Sequence, residues 1–146
     1  MNTEVRKLTA ADLEVLLRVA DDVFDNPVDP ALAREFLNDP RHHIVVAIEE
    51  GIVVGFVSAV HYVHPDKEPQ LWINEVSVTP RHRRQGLATR MMQRIFDVGR
   101  ALRCREAWVL TDRLNVAAMR LYAAAGGREG ADGGPSDATL GYTFAL

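Results

Sequence analysis

Residues 71–110 constrain the fold more than any other part of the chain. Leu71–Val78 reads as a strand ended by Thr79-Pro80. Gly86–Leu102 then carries Leu87, Met91, Ile95 and Val98 at helical spacing, with Met92 and Phe96 alongside, and Glu106–Leu110 reads as a second strand. Strand, long helix and strand in that order make a parallel crossover, which is right-handed almost without exception.

The flanking segments extend this unit. Val5–Leu8 is expected to be a short strand. Thr9 and Asp12 resemble a capping pair ahead of a helical stripe from Leu13 to Ala20. Pro27 and Pro30 interrupt the acidic stretch 21–30, and a second short helix is expected over Ala31–Leu37. Ile44–Ile48 and Ile52–Val60, joined by Glu49-Glu50-Gly51, predict a hairpin. His61–Pro69 reads as a polar loop, Asn115–Ala125 as a helix stopped by Gly126-Gly127, and Thr139–Leu146 as a terminal strand. The expectation is a single α/β domain over residues 1–146, with a mixed central sheet and helices on both faces.

Several classes drop out on composition. A chain of 146 residues with 47% hydrophobic content can build a core without staples. No apolar run approaches the roughly 20 residues that span a bilayer, and Cys104 is the only cysteine, so a soluble cytoplasmic protein is expected. The adjacent His42-His43 and the spaced His61-x-x-His64 lack a third obvious ligand, which argues against a metal. Trp72 and Trp108 read as core or wall residues. Charge is uneven: residues 1–70 hold 13 acids and 6 bases, residues 71–146 hold 7 acids and 11 bases. That division suits an anion held by the second half and a cation drawn to the first.

The chemistry concentrates at Val76–Thr89. A strand ends, the basic turn Arg81-His82-Arg83-Arg84-Gln85 follows, and Gly86 opens a helix. Unpaired N–H groups at a helix N-terminus, a glycine that lets the backbone approach and surrounding arginines form a cradle for a phosphate or pyrophosphate. The basic cluster is short and has no aromatic interleaving, which speaks against nucleic acid.

Arg83-x-x-Gly86-x-Ala88 resembles the acyl-coenzyme A signature of the GNAT N-acetyltransferases. The likeness continues upstream in Asn74–Val78 and downstream in Asn115, Ala118, Leu121-Tyr122 and Gly126-Gly127; Gly127 departs from the aromatic residue usual there. The resemblance implies acetyl-CoA as donor. It implies that Arg83, Arg84, Gln85, Gly86, Leu87, Ala88 and Thr89 hold the pyrophosphate. The main chain of the Val76-Ser77-Val78 strand would pair with the pantetheine arm, which the family admits through a bulged, splayed strand. It further implies that Asn115 hydrogen-bonds the arm and that Tyr122 is the general acid for the departing thiolate.

Acetyl transfer needs a neutral amine, so a base must take a proton. Glu75 is the candidate, with an arginine ion pair as its structural alternative. Strict alternation would place Trp72, Asn74, Val76 and Val78 on one face and Ile73, Glu75 and Ser77 on the other. Asp21, Asp22, Asp25 and Asp29 are expected to form an acidic wall at the acceptor site, with Asp112, Asp132 and Asp137 closing it opposite. The run around the turn is similar to GNAT-type aminoglycoside 3-N-acetyltransferases, which implies a polycationic small-molecule amine as acceptor. A protein N-terminal or lysine acetyltransferase and a non-catalytic coenzyme-binding module are the alternatives. The apolar segment Leu140–Leu146 could pair with a second copy in a homodimer or complete its own sheet.

Overall fold

The computed structural model describes residues 2–130 and 139–146. Its strands are β1 (Glu4–Lys7), β2 (His42–Glu49), β3 (Ile52–His64), β4 (Lys67–Val78), β5 (Glu106–Asp112), β6 (Arg128–Glu129) and β7 (Thr139–Ala145). The α-helices are α1 (Leu13–Leu16), α2 (Pro30–Asn38), α3 (Leu87–Ala101) and α4 (Val116–Ala124). The strands form one seven-stranded sheet in the order β1-β2-β3-β4-β5-β7-β6. Only β4 and β5 run parallel, joined through α3 as the crossover requires. The C-terminal segment completes its own sheet, between β5 and β6.

Two apolar clusters cover the two sheet faces. α3 and α4 pack over Val45, Val57, Leu71, Ile73 and Val109 on one side. On the other, Leu16 and Ala33 cover Ile44, Val46, Val53 and Phe56. The odd and even positions of β2 divide between these clusters, as the two-residue repeat of a strand dictates. Among the described residues no helix is long and apolar enough to cross a membrane.

Three elements differ from the sequence reading. The helix expected over Leu13–Ala20 ends at Leu16, although Thr9 and Asp12 do form a capping box, on the 3-10 turn Ala10–Asp12 that leads into it. Beyond it the chain turns extended: Val53 N–H donates to Arg18 C=O at 2.8 Å and Ala20 N–H to Val53 C=O at 2.9 Å. The exposed main chain of β3 captures this segment and overrides its helical spacing. The expected His61–Pro69 loop is mostly strand, because β3 runs to His64 and β4 begins at Lys67. His61 therefore lies within β3, with Nδ1 2.8 Å from Nε2 of the buried His43. Gly127, which departs from the aromatic residue usual in the resembled family, lies under the ring of Phe144. A Cβ there would come within 2.7 Å of that ring, so β7 already fills the space.

Candidate active site

The site begins with a break in the sheet. β4 and β5 pair only across Gln70–Ile73 and Glu106–Val109. β4 continues to Val78 and β5 to Asp112, so beyond Ile73 the two strands part. The hydrogen-bond phase of β4 decides which groups face this opening. Thr79 N–H donates to Val54 C=O at 2.9 Å, and antiparallel strands alternate bonded with non-bonded pairs. Ser77 and Phe56 are then a bonded pair, whereas Val76 and Val78 turn their N–H and C=O groups away from β3. Those main-chain groups are what an extended amide-bearing arm can pair with as an added strand.

A bulge sets the side chains. The β3–β4 register shifts between Ser58 and Ala59, leaving Asn74 as the extra residue. Leu71, Ile73, Val76 and Val78 consequently all pack on the α3 face. Trp72, Glu75 and Ser77 face the side of α1 and α2. Strict alternation, which grouped Ile73 with Glu75 and Trp72 with Val76, is corrected on this point. Trp72 and Trp108, paired across β4 and β5, stack with ring centroids 4.7 Å apart, and they do not line the cavity that Glu75 reaches. Ser77 is turned from the opening: its hydroxyl donates to Val23 C=O at 2.7 Å and pins the connection between α1 and α2.

The turn from β4 into α3 carries the anion-binding geometry. Arg84 (φ 63°) and Gly86 (φ 75°) are both left-handed, and alternation of such residues with ordinary ones gathers N–H groups into a concave nest. Gly86 is the N-cap of α3, and its positive φ favours glycine for conformational reasons. No atom lies within 4 Å of a Cβ built there, so the approach to the backbone is clear. Leu87 buries its side chain in the core and anchors the first turn, Ala88 is half-buried, and Arg83, Arg84, Gln85 and Thr89 are exposed. Arg83 Nε donates back to Val78 C=O at 3.2 Å. The turn is also tied from behind: Thr79 Oγ1 lies 2.8 Å from His82 Nδ1, and His82 Nε2 meets the Glu49 carboxylate. The sequence reading did not find this tie, because Glu49 and His82 are far apart in the chain.

Together the opening, the main-chain groups that Val76 and Val78 turn away from β3 and the nest at residues 83–87 fit an extended arm ending in a diphosphate. Acetyl-CoA has that form, and the site accommodates it as donor co-substrate. Among the described residues no group of three His, Cys, Asp or Glu side chains is placed to hold a metal ion.

Beside the opening lies a cavity of about 340 Å³ between the sheet and α2, reached by Glu75, Ser58 and Asp25. Glu75 is exposed and its carboxylate makes no hydrogen bond or ion pair with any described residue, which removes the arginine alternative. Its carboxyl is pushed above the usual range, first by the apolar surroundings and then by the charge of Asp25. Of the expected acidic wall Asp25 and Asp29 reach this cavity. Asp21 and Asp22 are exposed on the preceding turn and do not line it. Asp112 also lies elsewhere, with Oδ1 accepting from Leu114 N–H at 2.7 Å. Asp132 and Asp137 lie outside the described residues.

Asn115 caps α4, its Oδ1 accepting from Ala118 N–H at 3.0 Å, which leaves its amide NH₂ free to donate. Tyr122 is buried against Tyr142 and Phe144. Burial pushes its pKa up to about 12, and its hydroxyl makes no hydrogen bond among the described residues.

Comparisons place this geometry. The fold of Arabidopsis thaliana NAA60 in complex with acetyl-CoA superposes with TM-score 0.77 at 16% identity, covering 99% of each chain. An aminoglycoside acetyltransferase from an uncultured soil metagenomic sample gives 0.74 at 21% identity, covering 92% of this chain and 97% of that one. The aminoglycoside N-acetyltransferase AAC(6')-Iy in complex with CoA gives 0.71 at 22% identity, covering 86% and 87%. At these identities the likeness is one of fold. No curated protein sequence matches significantly. Residues 11–126 match the Acetyltransferase (GNAT) family, and the chain therefore belongs to that family of acetyl-CoA-dependent acetyltransferases.

Proposed function

We propose that the protein transfers the acetyl group of acetyl-CoA directly to a primary amine of a cationic small molecule, with Glu75 as general base. The observation that carries this reading is the position of Glu75. It is an unpaired carboxylate of raised pKa on the splayed strand, between the cavity and the opening that suits the pantetheine arm. The donor supplies acetyl as a thioester. Glu75 takes a proton from the ammonium, directly or through water, and the freed nitrogen lone pair attacks the carbonyl carbon. A C–N bond forms, the C–S bond breaks with sulfur leaving with the electron pair, and the nitrogen loses its second proton to solvent to give the neutral amide.

Tyr122 is the proposed donor to that sulfur. A phenol of pKa about 12 stays protonated throughout the working range. Complete transfer to a thiolate whose conjugate acid has a pKa near 8.5 is uphill. Tyr122 therefore acts by donating a hydrogen bond to the developing anion, and solvent completes protonation of the sulfur.

Two features support a cationic acceptor: Asp25 beside Glu75, and the excess of acids in residues 1–70. Aminoglycosides are the acceptor class that the sequence resemblance implies, and several similar folds carry that activity in their names. The test is coenzyme thiol release from acetyl-CoA with aminoglycosides, polyamines, simple amines and short peptides. Release with a small amine, lost in Glu75→Gln, is the expected result. Tight coenzyme binding with no release from any amine would favour the non-catalytic module.

A further inference from the structure

The cavity beside Glu75 pairs two carboxylates with a largely apolar wall. Asp25, on the connection between α1 and α2, and Glu75, on β4, both reach it, and neither is engaged by another described side chain. Most of the remaining lining is hydrocarbon: Phe24, Val28, Leu32, Phe36, Ile44 and Phe56. Phe24 stacks on Phe56 with centroids 4.2 Å apart. Asp29 also lines the cavity, but its Oδ1 accepts from the N–H groups of Ala31 and Leu32 at 2.8 and 3.0 Å; the other polar lining residues, Asn26 and Ser58, are neutral.

We infer that the preferred acceptor is a primary monoamine carrying a compact apolar arm, an alkylamine or arylalkylamine. Its ammonium lies between Asp25 and Glu75, and its arm lies against Leu32 and Phe36. This narrows the acceptor and rests on the acetyltransferase reading above. Charge complementarity draws the cation to the Asp25 and Glu75 carboxylates, which no other described side chain engages. The hydrocarbon wall penalises hydroxyl and second ammonium groups laid against it, which would lose water there without gaining a partner. A polyhydroxylated aminosugar and a polyamine are therefore poor occupants of this cavity. At about 340 Å³ it falls at the small end of small-molecule sites, roughly 300–1,000 Å³.

The test is kcat/KM for a series from propylamine to hexylamine, with 2-phenylethylamine, an aminoglycoside, spermidine and a tripeptide as further arms. The expected rise is about fourfold per methylene over at least two methylenes, the equivalent of about 0.8 kcal/mol per buried CH₂. Leu32 is 65% exposed, so Leu32→Asn can fold, and it should reduce each step below twofold. A flat series, or an aminoglycoside, spermidine or tripeptide above the best monoamine, overturns the inference. If no amine releases thiol, the acetyltransferase reading fails on its own. Calorimetric binding of the same amines to the coenzyme A complex then decides the pocket: affinity rising with chain length supports it, and equal affinity overturns it.

Discussion

Arg83 Nε donates to the carbonyl oxygen of Val78 at 3.2 Å, placing the second arginine of the turn on the strand that faces the opening. The same carbonyl is turned away from β3 toward the opening, so the turn and the strand are coupled through one side chain. Arg83→Lys keeps the positive charge and loses the planar fork. It should leave coenzyme A affinity within about threefold, whereas Arg83→Ala should weaken it about tenfold, as expected for a charge-assisted contact. Calorimetry at low and high salt checks this, with the loss in Arg83→Ala shrinking as salt rises.

Gly86 is left-handed with open space around its missing Cβ. Gly86→Ala meets no steric barrier but carries the strain of an L-residue at positive φ, roughly 1–2 kcal/mol. It should lower stability by that amount and still bind coenzyme A. Gly86→Glu places a carboxylate at the nest and should abolish binding. Thermal unfolding with and without coenzyme A separates the two effects.

Glu75 must be ionised to accept a proton, and apolar surroundings with Asp25 raise its pKa. The acid limb of kcat should therefore fall at a pH above the ordinary carboxylate value. Asp25→Asn removes the second contribution, so the limb should move to lower pH. Glu75→Gln should cut kcat by about 10²–10⁴ with coenzyme affinity unchanged. A pH–rate profile of the three proteins checks both statements.

His43 is 4% exposed and shares a short N···N contact with His61. Burial, with smaller contributions from Lys7, His61 and His42, lowers its pKa to about 4. The unfolded chain, with an ordinary histidine near 6.5, binds the proton more readily. The stabilisation from neutral His43 is thus complete above about pH 6.5 and is lost as pH falls toward 4. Between pH 7 and pH 5 the loss should be about 2 kcal/mol. Urea unfolding of wild type and His43→Phe should show the slope in the first and a flatter profile in the second.

What the sequence disclosed was local. The capping pair of Thr9 and Asp12, the long period of α3 and the glycine that opens it at Gly86 all act within a few residues of themselves. The crossover also followed from element order alone. What stayed hidden depended on partners distant in the chain. Asn74 gives no sign of being a bulge until Ser58 and Ala59 pair with its neighbours, yet that bulge turns Glu75 toward the cavity. Val19 leaves its helical spacing only because Val53 offers free main-chain groups. Asp21, Asp22 and Asp25 look alike in sequence, and only the path of the connection between α1 and α2 brings Asp25 to Glu75.

The central claim is that the main chain of the parted strand and the turn after it grip the coenzyme. Residue-resolved amide hydrogen exchange, with and without coenzyme A, measures this directly. Strong added protection at Val76, Val78, Gly86 and Leu87, with Ser77 little changed because it already bonds Phe56, is the predicted result. Unaltered exchange at Val76 and Val78 in the saturated complex would contradict the account.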